Sequence, residues 1–323
     1  MAGSPLARRF GVCLALAVLA LVVPTGSEAS ANHPFQVMRS PSAGRSLTSM
    51  NFFLAVLIIA AAVAVAVAAM LVVRRRAPEG SYFSDGDRAS GVFGALATGF
   101  SVLLGFIVFL AFSSYDESKT GAEAEALAVV QQFETAQFLP PAARQRLVGE
   151  LVCYGRSVIS QEWPRMETGS ESGGVNPWGL AMFRTMKTVQ PTTAAEQSAY
   201  DRWFDQTSAR EEARRDRVHA SEGVIPVTLW RVLYFIAAII VVYMLFFADS
   251  GERAVTQGLL MGSLVAVVVA TLLLLQILDN PYRRGVSELR PVAMQQTLGL
   301  IDQAQGALGQ DDPPPCDAEG QPR

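Results

Sequence analysis

The chain has 323 residues, of which 50% are hydrophobic, and its mean hydropathy is positive. These values fit a multi-pass membrane protein better than a soluble one. The formal net charge is −3, so the chain lacks the excess of basic residues that is typical of nucleic-acid-binding proteins, and that class is excluded. Only three cysteines are present (Cys13, Cys153 and Cys316), and they lie far apart, so neither zinc spacing nor a disulfide framework is expected.

The first 31 residues have the features of a secretory signal peptide. Two arginines precede an apolar stretch at 10–23, and Ala29-Ser30-Ala31 forms a small-residue cleavage pattern. A short, uncleaved first membrane helix is the alternative interpretation of residues 1–31. Residues 32–50 are polar and contain Pro, Ser and Gly, which predicts a flexible lead-in.

Residues 51–113 predict a first transmembrane hairpin. The apolar stretch 51–73 ends directly before Arg74-Arg75-Arg76, which the positive-inside rule keeps in the cytoplasm. The second stretch, 91–113, reads GVFGALATGFSVLLGFIVFLAFS and is uncharged. A helix needs about 20 apolar residues to cross a bilayer core, so both stretches are long enough to span it.

The second spanning stretch carries two neighbouring stripes when it is written as a helix. The first consists of small residues, which let helix backbones approach closely in lipid: Ala97, Ser101 and Gly105. The second stripe runs from a hydroxyl to a phenyl group and would suit a pore constriction: Thr98, Val102 and Phe106. Helix packing alone is the alternative interpretation of both stripes.

Residues 114–225 predict a polar, helical domain. An apolar face recurs at Leu147, Leu151, Tyr154 and Val158, with the spacing of a helix. Thr193 and Glu196 have the spacing of a capping box. The run 210–217 (REEARRDR) mixes both charge signs, which is typical of a solvated helix face.

Residues 226–278 predict a second transmembrane hairpin, built from the apolar stretches 226–247 and 258–278. Residues 279–308 follow as a post-membrane segment and an amphipathic helix. The tail, 309–323, contains three consecutive prolines and is predicted to be disordered. The fold class is therefore an all-α membrane protein, with four spanning helices in two hairpins and a helical domain between helices two and three.

No enzyme motif is present: the chain has no GxSxG, HExxH, Walker or dinucleotide-binding pattern, so neither catalysis nor a cofactor is predicted. Glu162 has two interpretations. Beside Trp163 it would be a carboxylate in an apolar setting with a raised pKa, or else a helix-end charge beside a packing indole. An enzyme would require Glu123, Glu162 and Asp279 to converge in one pocket.

Four ordered motifs lie within residues 91–305. They are LLGFIVFLAFSSYDES (103–118), EAEAL (123–127), the segment 139–163, which ends within the sequence QEWP, and LDNPYRRG (278–285). Together they resemble the bestrophin-like family of bacterial and plant membrane proteins. The motif positions for which the resemblance implies structural roles are Gly105, Tyr115, Glu123, Glu162, Trp163, Asp279, Asn280, Pro281 and Tyr282.

A more distant resemblance links the second spanning stretch to the bestrophin anion channels. Leu104-Gly105-Phe106, followed by Tyr115-Asp116, matches the narrow hydrophobic neck of those channels. The resemblance implies that Thr98, Val102 and Phe106 form the neck rings. Thr98 and Val102 are smaller than the residues expected of such a gate.

The segment after the last spanning helix also resembles bestrophins at Asn280-Pro281-Tyr282. Arg283 and Arg284 stand where those channels have a glycine and acidic, calcium-binding residues. No metal is therefore predicted at this segment. The resemblance implies a homo-oligomer in a lipid bilayer, namely the bacterial plasma membrane, with small anions as the permeating ions.

Two questions stay open at this point. Bestrophins keep the domain between helices two and three in the cytoplasm, whereas a cleaved signal peptide with Arg74-Arg75-Arg76 inside favours an extracytoplasmic domain. Basic residues beside the third and fourth spanning stretches favour the opposite side.

The function is predicted to be an oligomeric anion channel lined by helix two. The alternative is a non-conducting, membrane-anchored interaction or sensor protein that uses its helical domain.

Overall fold

The computed structural model describes residues 52–169, 176–286, 288–310 and 312–323. The predicted signal peptide (1–31) and lead-in (32–50) lie outside the described residues. Within the described residues the regular secondary structure is helical, with no β-strand. The prediction of an all-α protein is confirmed for this part of the chain.

Nine α-helices are found in the described residues. They are α1 (Phe52–Arg74), α2 (Gly86–Ala136), α3 (Pro141–Ser157), α4 (Trp163–Glu167), α5 (Pro177–Met186), α6 (Ala194–His219), α7 (Val227–Leu245), α8 (Ala254–Leu278) and α9 (Val292–Leu308). A π-helical turn (Val158–Glu162) joins α3 to α4, and a 3₁₀ turn (Ala220–Glu222) follows α6.

Four of these helices are long and apolar enough to cross a membrane: α1, α2, α7 and α8. They agree with the four predicted spanning helices, and the protein is a multi-pass membrane protein. One bound differs from the prediction, because α2 does not stop near residue 113. It continues through Gly121 to Ala136 as a single helix of 51 residues.

The described chain divides into two compact units. The membrane unit comprises 52–108 and 225–275, and the helical unit comprises Phe109–Val224 and Gln276–Arg323. The core of the membrane unit uses small residues on α1 (Ala62, Ala66 and Ala69) against apolar side chains of α7 and α8. Gly262 of α8 leaves room for this packing, since a Cβ there would lie 3.3 Å from Val63 Cγ1.

The helical unit has its own apolar core. Leu147, Leu151, Tyr154 and Val158 are fully buried in it, so the face predicted from their spacing is confirmed. The predicted capping box is also present at the start of α6. The Thr193 hydroxyl accepts a hydrogen bond from the Glu196 N–H at 3.2 Å, and the Glu196 carboxylate accepts one from the Thr193 N–H at 3.2 Å.

Three expectations from the sequence differ from the structure. A disulfide joins Cys153 to Cys316, although their separation of 163 residues gave no spacing signal. The run 210–217 is not simply a solvated face, because Arg210 and Arg217 are buried. Composition also predicted a disordered tail, whereas the structure attaches the residues after Asp312 to the helical unit through this disulfide.

Candidate functional site

The three predicted pore-lining residues lie on one exposed face of α2. Thr98 is exposed, Val102 is 55% exposed and Phe106 is 67% exposed. Gly105 shares this exposure, and a Cβ built on it would meet no atom within 4 Å. The face therefore makes little contact with the chain's own membrane unit and is available to lipid or to another copy.

The opposite face of α2 in the membrane unit is packed. Phe100, Leu104 and Ile107 are buried. Since residues three and four apart share a helix face, this alternation fixes the rotation of α2 about its own axis. The spacing of four between the predicted neck positions places their side chains about one turn apart, roughly 5.4 to 6 Å along the axis.

A second arrangement, buried in the helical unit, centres on the guanidinium group of Arg217. This side chain on α6 pairs with the carboxylates of Glu125 on α2 and Glu162 in the π-helical turn. The distance from Arg217 Nη2 to Glu162 Oε2 is 2.6 Å, and that from Nη2 to Glu125 Oε1 is 3.1 Å. Arg214 approaches Glu162 at 3.3 Å, so two carboxylates and two guanidinium groups neutralise one another.

Further polar groups complete the hydrogen bonding of this buried charge network. The Tyr154 hydroxyl donates to Glu125 Oε1 at 2.6 Å, and Asn176 Nδ2 donates to Glu162 Oε1 at 3.0 Å. The Trp163 indole lies against Arg217, with the guanidinium carbon 5.4 Å from the ring centroid. The charged groups are thus hydrogen-bonded and in contact with an aromatic ring, which suits buried charges.

The electrostatics hold these groups in their charged or neutral states. Burial alone would raise the pKa of Glu162, but the guanidinium groups of Arg217 and Arg214 outweigh it and lower that pKa. Burial and the Glu125 carboxylate raise the pKa of Tyr154 well above its ordinary value. Burial raises the pKa of Tyr282 to about 12. Glu162 therefore stays ionised at neutral pH. A raised pKa is wrong, whereas a helix-end charge beside a packing indole agrees with its place at the end of the π-helical turn, next to the buried Trp163.

The third motif segment meets the fourth in this unit. The Trp163 indole N–H donates to the Leu289 carbonyl at 2.9 Å, and the Trp163 ring meets the Tyr282 ring edge to face at 5.6 Å. The Tyr282 hydroxyl donates to the carbonyl oxygen of Arg217. Tyr115 is half-buried against the same core.

The residues before Tyr282 brace the chain where it leaves α8. The Asp279 carboxylate accepts a hydrogen bond from the Val224 N–H at 2.8 Å, and Asn280 Nδ2 donates to the Gln276 carbonyl at 3.2 Å. The Pro281 carbonyl accepts from the Leu289 N–H at 2.9 Å. Within the described ranges, no group of three His, Cys, Asp or Glu side chains is placed to hold a metal ion.

The carboxylates that an enzyme would need have separate environments. Glu123 is exposed, Glu162 pairs with Arg217, and Asp279 holds a backbone N–H. The acidic residue that joins the charge network is Glu125, two positions after Glu123 and on a different helix face.

The sequence contains a pattern that indicates the buried charge network, although the mixed charges of the run 210–217 obscure that pattern. Buried residues of α6 recur at helical spacing: Trp203, Gln206, Arg210, Ala213 and Arg217. Arg210 and Arg217 therefore lie on the same buried face of α6 as Trp203. A search for charged residues in register with an apolar face would have selected Arg210 and Arg217.

Comparisons with known proteins agree with this architecture. The family model for the bestrophin-like domain matches residues 60–294. A variant of a bacterial bestrophin homologue from Klebsiella pneumoniae has a similar structure, with a TM-score of 0.60 at 14% identity; the match covers 78% of this chain and 99% of the other. A second variant gives a TM-score of 0.58 at 13% identity, covering 76% and 97%. No curated protein matches the sequence.

Proposed function

This chain belongs to the bestrophin-like family, and from that premise we propose that several copies surround a common axis and conduct ions along it. In this proposal α2 lines the axis. The observation that carries the proposal is the exposed stripe of α2, which presents Thr98, Val102 and Phe106 away from the chain's own membrane unit.

The constriction would be set by the Phe106 side chain. A ring of phenyl groups, one from each copy, would make a narrow apolar passage that gates by dewetting or by helix movement. Val102 and Thr98 would form wider rings on the same face. The spanning helices would be arranged as two hairpins, α1 with α2 and α7 with α8, and the helical domain would be inserted between them.

Two features of the chain bear on the sign of the permeating ion. Resemblance to bestrophins favours small anions, and the positive edges of phenyl rings suit weakly hydrated anions. Along the same helix, Asp116, Glu117 and Glu123 are exposed carboxylates, which attract cations. A flux experiment must therefore compare salts that differ in only one ion.

The test is ion flux through purified protein in liposomes. Wild-type protein should conduct, and Phe106→Ala should increase the flux by widening the apolar passage. Phe235→Ala is the matched control, because Phe235 is also an exposed phenyl group in the membrane unit but lies on α7. Silent liposomes that contain well-folded oligomers would overturn the pore and favour a non-conducting interaction or sensor protein.

We also propose that the helical domain lies on the extracytoplasmic side of a bacterial plasma membrane. Arg74, Arg75 and Arg76 directly follow α1, and the positive-inside rule places such a cluster in the cytoplasm. With α2 crossing the membrane next, the helical domain would then emerge on the opposite side.

A further inference from the structure

The last residues of the chain form a segment that is attached to the helical unit by a disulfide and by hydrogen bonds. We call residues 312–323 the C-terminal strap. Cys316, in the strap, is bonded to Cys153 of α3, with a Cα–Cα distance of 5.8 Å. Both cysteines are fully buried. The Arg323 N–H donates to the Pro315 carbonyl at 3.1 Å, which folds the strap back on itself.

Hydrogen bonds seat the strap on the end of α3 and on the π-helical turn. Gln161 Nε2 donates to the Glu319 carbonyl at 2.9 Å, and Arg156 Nη1 donates to the Asp317 carbonyl at 3.0 Å. The Trp178 indole N–H donates to the Gly320 carbonyl at 2.7 Å. Each of these donors would lose its partner if the strap left.

Gly320 is the position at which the strap comes closest to the helical backbone. Its φ angle is +74°, and a Cβ built there would lie 2.5 Å from the Ser157 nitrogen. Both the conformation and the contact require glycine. The strap is thus fitted to the junction between α3 and the π-helical turn, whose last residue, Glu162, pairs with Arg217.

The order of elements places both cysteines on the same side of the membrane. Cys153 lies between α2 and α7, and Cys316 lies after α8. Two spanning helices separate them, so the chain returns to the side from which it left. Disulfides form and persist in oxidising compartments and are rare in the bacterial cytosol.

We infer that Cys153 and Cys316 are a site of post-translational oxidation, at which an extracytoplasmic thiol oxidant locks the strap onto the π-helical turn. The inference shares the orientation proposed above and is independent of ion conduction. The two thiols lose two protons and two electrons as the S–S bond forms. A disulfide of a thiol oxidoreductase accepts them and becomes a dithiol. Since both sulfurs are buried in the final structure, the oxidant must act before the strap is seated.

The first experiment counts free thiols in the full chain made in bacterial cells. In a Cys13→Ser background, protein is denatured without reductant and treated with a maleimide that carries polyethylene glycol. The expected result is no mass shift before reduction and a shift of two maleimides after it. Cys316→Ser should add one maleimide before reduction, which identifies the pair. Two free thiols in the native protein would overturn the oxidation.

The second experiment separates orientation from oxidation. Arg202→Cys places an exposed thiol on the helical unit, and Glu79→Cys places one in the loop after α1. A membrane-impermeant maleimide should label the first only in right-side-out vesicles and the second only in inside-out vesicles. Reversed labelling would overturn the orientation. Extracytoplasmic labelling of Arg202→Cys, together with free Cys153 and Cys316, would overturn the oxidation and leave the orientation and the pore standing.

The third experiment measures the lock itself. Carboxypeptidase should remove the strap at least about tenfold faster from Cys316→Ser than from the Cys13→Ser parent, because digestion follows the population of the open strap. Should Cys316→Ser fail to fold, the folded parent is reduced until the maleimide assay finds two free thiols, and it then gives the same comparison. An unchanged digestion rate after either treatment would overturn the lock.

Discussion

Arg217 is the residue on which the buried charges of the helical unit depend. Its guanidinium group pairs with two carboxylates, and its own carbonyl accepts the Tyr282 hydroxyl. A buried charge is tolerated only when it is paired and hydrogen-bonded. The network therefore joins α2, the π-helical turn, α6 and the segment after α8 through one residue.

Glu162→Gln should destabilise the helical unit by about 3 kcal/mol, because it removes the carboxylate that pairs with both Arg217 and Arg214 in a buried site. The free energy of unfolding in mild detergent, followed by tryptophan fluorescence, measures the change. Glu123→Gln is the matched control. Glu123 is exposed, and its substitution should alter stability by less than about 0.5 kcal/mol. Equal effects of the two substitutions would contradict a structural role for the network.

Acid should weaken the same network. The pKa of Glu162 is lowered from its ordinary value of 4.5, since Arg217 and Arg214 outweigh the effect of burial. A carboxyl group whose folded pKa lies below its unfolded pKa stabilises the folded state fully above the unfolded value. That stabilisation is lost as the pH falls below about 4.5 and through the folded pKa. The unfolding temperature of the wild-type protein should drop over this range, and that of Glu162→Gln should drop less.

At the scale of elements, α2 and α6 approach each other at a glycine. A Cβ at Gly121 would lie 2.7 Å from the Arg217 nitrogen and 2.8 Å from the Ala213 carbonyl oxygen. Both are backbone atoms, so a side-chain rotation cannot relieve the clash. The glycine serves the packing of α6 and does not terminate the helix.

Gly121→Ala should therefore destabilise the protein by about 1–3 kcal/mol, because α6 must move to admit the methyl group. Gly299→Ala is the control on α9, where a Cβ meets no atom within 4 Å. That substitution should stabilise the protein by roughly 0.5–1 kcal/mol, since alanine has the higher helix propensity. Thermal unfolding of the two variants beside the parent tests the difference in sign. Stabilisation by both would show that α2 and α6 are not in close contact.

The elements themselves were largely predictable from sequence, and the long-range pairs were not. Apolar length identifies α1, α7 and α8, and helical spacing identifies the buried face of α3. The disulfide between Cys153 and Cys316 has no local signature, because it closes a loop of 163 residues. The burial of Arg217 could not be predicted from its sequence neighbours for a related reason. Its two carboxylate partners lie 92 and 55 positions away, so its local sequence shows only mixed charges.

At the scale of the whole molecule, a single chain presents the α2 stripe on its outside, so a pore would be a property of the assembly. When copies are arranged around a closed symmetry axis, a residue that faces the axis lies close to the same residue of the other copies, and the distance is shortest where the passage along the axis is narrowest. Residues on other exposed faces of the membrane unit would be kept apart by the width of the assembly. The position of α2 is therefore testable without any measurement of conduction.

Val102→Cys should form cross-linked dimers when an oxidant is added to membranes, if α2 lines the axis. A disulfide requires Cα atoms within roughly 7 Å, a separation that copies reach only at a narrow axis. Val232→Cys on α7 is the matched control, since Val232 is also an exposed valine of the membrane unit. In a Cys13→Ser background, Cys153 and Cys316 pair within one chain and add no intermolecular band on a non-reducing gel. Dimers from Val232→Cys but none from Val102→Cys would remove α2 from the axis, and the pore would need a different lining helix.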